Sequence, residues 1–191
     1  MSYDVKLSDL KFKIPSLLSK ETCDYFISFY ESNLNLEETE KSYKFDSKKI
    51  EYDNYKCISL SKLKNTYSEP FELAYKYINI MVLNYVMYIQ NNICPSFDDT
   101  RLKLTDNIRI LKYEKGTCIK DHIDVSGYIR GSCTLNLNED YKGGEFRFFN
   151  GQEKLSLKTG DGLFFPAEPI WIHGTEPIIE GTRYSINCFL Q

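Results

Sequence analysis

The spacing of polar and apolar positions changes once along this chain, near residue 99. Before it, apolar residues recur at helical intervals. Cys23, Phe26, Ile27 and Tyr30 fall at i, i+3, i+4 and i+7, which gives a helix one apolar stripe. Ser19 supplies its N-cap, Ile14-Pro15-Ser16-Leu17-Leu18 before it reads as a short extended piece, and the helix is expected to reach about Ser32. A longer helix is predicted from Pro70, at its first position, to about Gln90, with Phe71, Ala74, Ile78, Met81, Tyr85 and Ile89 on its apolar side. Glu72, Lys76, Asn84 and Gln90 interrupt that run, so it buttresses a sheet and no membrane span is expected. Residues 34–66 lose periodicity at Glu37-Glu38-Thr39-Glu40-Lys41 and at Lys48-Lys49, and only Cys57-Ile58-Ser59-Leu60 looks like a strand. An irregular solvated connector is expected there, with a substrate-facing loop as the alternative.

From residue 99 onward the pattern becomes short β-like runs at 107–113, 117–122, 132–138, 144–149, 154–157, 162–166, 170–173 and 182–189, set apart by glycines. Regularly spaced strands after a helical section predict an α+β, mainly β fold, a sandwich or jelly roll with helices on one side. The expected organisation is a single domain over 1–191, with a helical N-terminal part over 1–98 and a jelly-roll core over 99–191.

Composition narrows the function. The chain has 191 residues, 42% hydrophobic and 27% charged, so it buries a sizeable core and is not disordered. A formal charge of −3 supplies no general basic field, so a protein or small molecule is favoured as partner over nucleic acid. Six cysteines at 23, 57, 94, 118, 133 and 188 form no CxxC pair and are expected to be free thiols. Met1-Ser-Tyr-Asp-Val-Lys6 shows no basic segment leading into an apolar one, and both features fit a cytoplasmic protein. Oligomeric state is left open.

The only two histidines, His122 and His173, both lie between Tyr113 and Ser185. In extended chain, residues i and i+2 share a face, so His122 and Asp124 can meet one metal while Asp121 and Ile123 point away. By itself an HxD tripeptide is more often a surface histidine beside a carboxylate, and His173 next to Trp171 is as often a core histidine. Together they change the odds, because a jelly roll can return His173 to the same mouth. Two imidazoles and a carboxylate on one face of a metal leave its other positions open, as a non-haem Fe(II) oxygenase needs for co-substrate and O₂. Arg183, ten residues after His173, can return antiparallel and bring a guanidinium beside the metal. A buried guanidinium calls for a bidentate carboxylate partner, which a dicarboxylate co-substrate would supply. Ser185 shares its face, and Tyr113 could offer its phenol there. Without those neighbours, Arg183 would read as a surface ion pair and Tyr113 as core.

The ordered set Tyr113-Glu-Lys-Gly116, His122-x-Asp124, Leu137-Asn138, Tyr141-x-Gly143-Gly144-Glu145, Gly160-Asp161-x-Leu163-Phe164-Phe165-Pro166, His173-Gly174 and Gly181-x-Arg183-Tyr184 resembles the Fe(II)/2-oxoglutarate-dependent dioxygenases of the prolyl 4-hydroxylase type. Leu17-Leu18-Ser19-x-Glu21-x-Cys23-Asp24 is similar to that family's first helix, so the resemblance spans nearly the whole chain. It implies a double-stranded β-helix in which His122, Asp124 and His173 bind Fe(II). It further implies that Arg183 takes the distal carboxylate of 2-oxoglutarate, assisted by Tyr113. Collagen-type members usually carry Lys at the position of Arg183, and Thr where Phe146 stands here. The activity implied is hydroxylation of an unactivated C–H with O₂, releasing succinate and CO₂, with ascorbate as a reductant. A prolyl residue in a protein or peptide is the leading substrate.

Two alternatives stay open. One is hydroxylation of a free amino acid or other small molecule by the same triad. The other is a non-catalytic metal-binding jelly roll acting as a sensor or interaction module. Leu135, Leu137, Phe148, Phe164 and Trp171 are expected as walls of the site, and residues 34–66 and 125–131 as specificity elements.

Overall fold

The computed structural model describes residues 5–43, 51–97, 102, 107–124 and 128–191, without the side chains of 41–43 and 51–54. Seven antiparallel strands form the main sheet. In spatial order they are β1 (Phe12–Ile14), β9 (Gly162–Pro166), β5 (Gly131–Asn136), β12 (Arg183–Leu190), β4 (Arg109–Tyr113), β3 (Glu51–Ser59) and β2 (Glu38–Tyr43). A second sheet of three strands has the order β10 (His173–Thr175), β7 (Phe146–Phe148) and β8 (Glu153–Leu155). A short pair joins β6 (Lys142–Gly143) to β11 (Ile178–Glu180).

Helix α1 (Lys20–Glu31) starts where the pattern placed it, because the Ser19 hydroxyl accepts the free Thr22 N–H at 3.2 Å. Its buried residues are Cys23, Phe26 and Tyr30. After the single turn α2 (Leu60–Leu63), α3 (Ser68–Asn92) begins two residues earlier than expected, so Pro70 is its third residue and not its first. Pro70 still lies in the first turn, where a missing N–H leaves no hydrogen bond unmade. Among the described residues, no helix is long and apolar enough to cross a membrane.

Both long helices cover one face of the main sheet. Phe26, Ile78, Met81 and Tyr85 pack there with Ile110, Leu135, Phe164 and Ile186. Strand alternation sends Leu163 and Phe165 to the opposite face, where they meet Phe146, Phe148 and Trp171 from the second sheet and its approach. The second sheet thus roofs the first, in a jelly-roll-like arrangement of antiparallel sheets.

Three expectations are corrected. Residues 34–66 are mostly regular: β2 and β3 pair and extend the main sheet beyond β4, followed by α2. The charged run Glu37–Lys41 is outermost in the sheet, where charge on an edge strand is tolerated and discourages pairing with other chains. Lys48-Lys49 lies outside the described residues. The run 117–122 is not a strand but a strap that meets β10 at an isolated bridge at His122 and at Ile119. The span 170–173 contributes only His173 to β10, while β11, which had no counterpart among the expected strands, follows it.

Asp161 closes the helical side against β9. Its carboxylate, almost fully buried, accepts the backbone N–H groups of Lys158 at 2.8 Å and Ser16 at 3.1 Å and lies 2.7 Å from Lys13 Nζ. Burial works against the charged form, but Lys13 and the two amides outweigh it and hold the carboxyl below its ordinary range. A depressed carboxyl stabilises the fold above its unfolded value, near 4, and loses that contribution as pH falls through the folded value. Asp161→Asn should therefore lower stability at neutral pH by about 1–3 kcal/mol, and the gap to the wild type should shrink below about pH 4. Urea unfolding at both pH values measures it, and a pH-independent gap would contradict this account.

Candidate metal centre

The site begins with one backbone pairing. His122 N–H donates to His173 C=O and His173 N–H to His122 C=O, both at 2.9 Å. Residues that exchange both bonds stand directly opposite each other with side chains on one side of the ladder. The two imidazoles accordingly meet, with ring centroids 4.4 Å apart. Asp124, two residues after His122, joins the same face. Its Oδ1 is 3.1 Å from His122 Nε2 and its Oδ2 3.3 Å from His173 Nε2.

The outer ring nitrogens are spoken for. His122 Nδ1 lies 2.9 Å from the Lys120 carbonyl, and His173 Nδ1 lies 3.0 Å from that of Trp171. A carbonyl can only accept, so each Nδ1 carries the proton and each neutral ring turns a lone pair on Nε2 inward. Two lone pairs and a carboxylate then converge, with one ligand atom from each residue lying within 4.8 Å of the others. Asp124 Oδ2 is buried without a hydrogen-bond partner. Such a set repels itself unless a cation sits between its members, so these residues fit a metal ion of the imidazole- and carboxylate-binding class. Without the cation, protons answer the same demand. Burial opposes charge on His122, but Asp124 outweighs it and raises the imidazole pKa. Burial likewise opposes ionisation of Asp124, yet the two imidazoles hold it far below the usual carboxylate range.

The triad opens onto a cavity of about 570 Å³. Tyr113, Ser185 and Phe146 line it, together with Leu111, Phe165 and Phe189. None of the five expected wall residues does. Leu135, Leu137 and Phe164 face the helices, and Phe148 and Trp171 lie in the packed layer between the sheets. The cause is the two-residue period: beside Phe164 it is Phe165 that faces the cavity, and beside Leu135 it is Thr134.

Arg183 is 1% exposed and stands opposite Tyr113 in the β12–β4 register. Its guanidinium lies over the Tyr113 and Phe146 rings at 5.3 and 5.0 Å, donates from Nε to Asn136 Oδ1 at 3.1 Å and from Nη1 to the Gly144 carbonyl at 2.9 Å. It packs behind the two rings that line the cavity, and among the described residues it forms no ion pair with a carboxylate. Burial pushes the Tyr113 phenol up to about 12, against the pull of Arg183 and the Ser185 hydroxyl. Sequence reasoning missed Arg109, Asn187, Glu40 and Tyr55, which also line the cavity. Arg109 was within reach, since it shares its strand face with Tyr113 at i−4.

Residues 108–191 match the 2OG-Fe(II) oxygenase superfamily. The matched span holds His122, Asp124, His173 and Arg183. Fe(II), 2-oxoglutarate and O₂ are therefore the cofactor and co-substrates, and the chemistry is that of a dioxygenase. In fold, the oxygenase resembles a viral collagen prolyl hydroxylase from Paramecium Bursaria Chlorella virus-1, at TM-score 0.62 and 15% identity over 95% of this chain and 94% of that one. It also resembles a Trichoplax adhaerens prolyl hydroxylase in complex with a hypoxia inducible factor peptide fragment, at TM-score 0.64 and 15% identity over 96% and 84%. A Pseudomonas putida prolyl-4-hydroxylase aligns at TM-score 0.57 and 12% identity over 95% and 92%. No curated protein matches the chain by sequence.

The strap that carries His122 is pinned to β10 and β7. Ile119 N–H donates to Thr175 Oγ1 at 2.9 Å, Thr175 N–H to the Ile119 carbonyl at 2.8 Å, and Arg147 Nη2 to Asp121 at 2.9 Å. Gly174 lies beneath it, and a Cβ there would stand 2.7 Å from both the Ile119 carbonyl and Asp121 Oδ1. Gly174→Ala should therefore lift the strap and lower Fe(II) affinity by about 10- to 100-fold, the range seen when groups supporting a ligand are disturbed. Anaerobic Fe(II) titration measures it; unchanged affinity would mean that the strap does not position His122.

Proposed function

We propose that this oxygenase is a single-domain, prolyl 4-hydroxylase-like enzyme that hydroxylates an unactivated C–H of a prolyl residue in a protein or peptide, releasing succinate and CO₂. The convergence of His122, Asp124 and His173 on one point beside the cavity carries the reading. Similarity of fold to three prolyl hydroxylases, one of them complexed with a peptide fragment, supports the substrate class. The jelly-roll-like sheets are taken as a double-stranded β-helix on the same grounds.

In this reading His122, Asp124 and His173 hold the iron. Bound Fe(II) supplies the redox chemistry that couples decarboxylation of 2-oxoglutarate to oxidation of the C–H by O₂. The chain's own work is binding and positioning. The two backbone carbonyls behind the imidazoles keep both Nε2 lone pairs aimed at one point. Arg183 takes the distal carboxylate of 2-oxoglutarate, with the Tyr113 phenol and Ser185 hydroxyl beside it. A guanidinium so deeply buried and, among the described residues, without a carboxylate of its own calls for that partner. Phe146, Phe165 and Ile119 present apolar surface to the cavity and keep water from the reacting C–H.

His122→Ala and Asp124→Ala should each abolish iron-dependent succinate formation while leaving the unfolding midpoint close to that of the wild type. Retained turnover in either would remove the proposed metal site. Arg183→Ala should raise the 2-oxoglutarate KM about a hundredfold, because truncating one partner of a buried charge pair costs about 3 kcal/mol. An unchanged KM would mean that another residue holds the distal carboxylate. The visible absorption of the anaerobic Fe(II)–2-oxoglutarate chelate, and its loss in His173→Ala, tests the site without a substrate in hand. Iron bound without that absorption would favour a metal-binding module over an enzyme.

A further inference from the structure

The guanidinium of Arg109 faces the cavity, and nothing proposed above uses it. Arg109, the first residue of β4, shares its strand face with Leu111 and Tyr113, so it stands about 13 Å along the wall from Tyr113 at roughly 3.3 Å per residue. Its side chain is only 13% exposed. Asn187, its partner in the β12 register, accepts from Nε at 3.3 Å. Glu40 on β2 accepts from Nη1, also at 3.3 Å. The guanidinium carbon lies over the Tyr55 and Phe189 rings at 5.9 and 5.8 Å. Among the described residues Nη2 makes no hydrogen bond.

A merely structural ion pair does not account for this placement. Glu40 is 43% exposed, and both hydrogen bonds to the guanidinium are long, so the pair is a weak reason to bury an arginine. Asp121, another carboxylate of the lining, is already paired with Arg147. Arg109 is left with the partly exposed Glu40 as its carboxylate among the described residues. A planar, oriented fork of donors in a low-dielectric wall is the usual receptor for a carboxylate.

Resting on the proposed prolyl hydroxylation, we infer that Arg109 is a specificity-determining residue that takes a carboxylate carried by the substrate, and that Glu40 occupies the guanidinium until that carboxylate arrives. The carboxylate has two sources: an acidic side chain flanking the target proline, or the α-carboxylate of proline itself as a free amino acid.

The test is anaerobic calorimetric titration of the Fe(II)- and 2-oxoglutarate-loaded protein with matched probes differing only in carboxylate against carboxamide. The probes are blocked prolyl peptides with Glu or Gln on the N-terminal side, the same pair with the residue on the C-terminal side, and free L-proline against L-prolinamide. The carboxylate member of at least one pair should bind about tenfold tighter. Preference among the peptides assigns the carboxylate to a flanking side chain, preference for free proline assigns it to the substrate's own α-carbon, and either supports the role of Arg109. Arg109→Gln should reduce that preference to within about twofold, whereas Glu40→Gln should widen it by removing the competitor. If the pair were only structural, both substitutions would lower the melting temperature and leave the carboxylate-to-amide ratio unchanged. Equal binding within every pair, or a preference that survives Arg109→Gln, would overturn the inference about Arg109 alone. A ratio narrowed by Glu40→Gln would overturn the competition. No binding by any probe, with the chelate absorption present, would sink the prolyl reading and this inference with it. Absence of that absorption would sink the oxygenase site itself.

Discussion

Two reciprocal hydrogen bonds between the His122 and His173 backbones set the geometry on which the rest of this molecule depends. His122 belongs to no strand, so this one bridge places it. The pairing fixes which way both imidazoles face, and the two-residue period then delivers Asp124 to the same point. Support for the bridge comes from both sides. The strap before His122 is tied to Thr175 and Arg147, and the His173 ring packs edge-on to Phe165 at 4.6 Å. The metal geometry is thus a consequence of sheet closure, and the aromatic layer between the sheets matters to the chemistry although most of it touches no reacting group.

The main sheet meets two different demands on its two faces. Toward the helices it is apolar and sealed by α1 and α3. Toward the second sheet it carries Ser132, Thr134, Ser185 and Asn187, which are polar residues in strands that are otherwise buried. Buried polar groups persist only where something satisfies them, and here they surround a cavity large enough for a co-substrate and part of a substrate. The added strands β2 and β3 lengthen that wall. They bring Tyr55 and Glu40 to it, so the segment between the helices contributes to the cavity as well as to the sheet.

Two arginines of the main sheet, Arg183 and Arg109, are largely buried. Arg183 is enclosed by Tyr113, Phe146, a carbonyl and an amide oxygen, without a carboxylate among the described residues. Such a guanidinium suits a dicarboxylate co-substrate, the role proposed for it above. Arg109, further along the wall, has the partly exposed Glu40 as its carboxylate.

Local pattern alone determined the two long helices, the Ser19 cap and the change to strands, because cap chemistry and periodicity act within a few residues. The converging triad was equally legible: with only two histidines in the chain and one of them in an HxD triplet, few other combinations exist. The superfamily match agrees with the dioxygenase chemistry read from those residues. What tertiary structure decided was every property that needs a partner strand. Glu37–Lys41 has no strand-like pattern of its own and forms β2 because β3 offers it a ladder. The walls of the cavity were misplaced by one residue, since periodicity gives two faces but only packing says which face meets the helices; Phe164 and Phe165 differ in nothing else. Arg109 reads as one more charged residue in a strand until β12, β3 and β2 close around it and turn it toward the cavity. Sequence thus determined the chemical groups and the local elements that carry them, whereas strand pairing and sheet closure, which act between residues far apart in the chain, decided which groups meet.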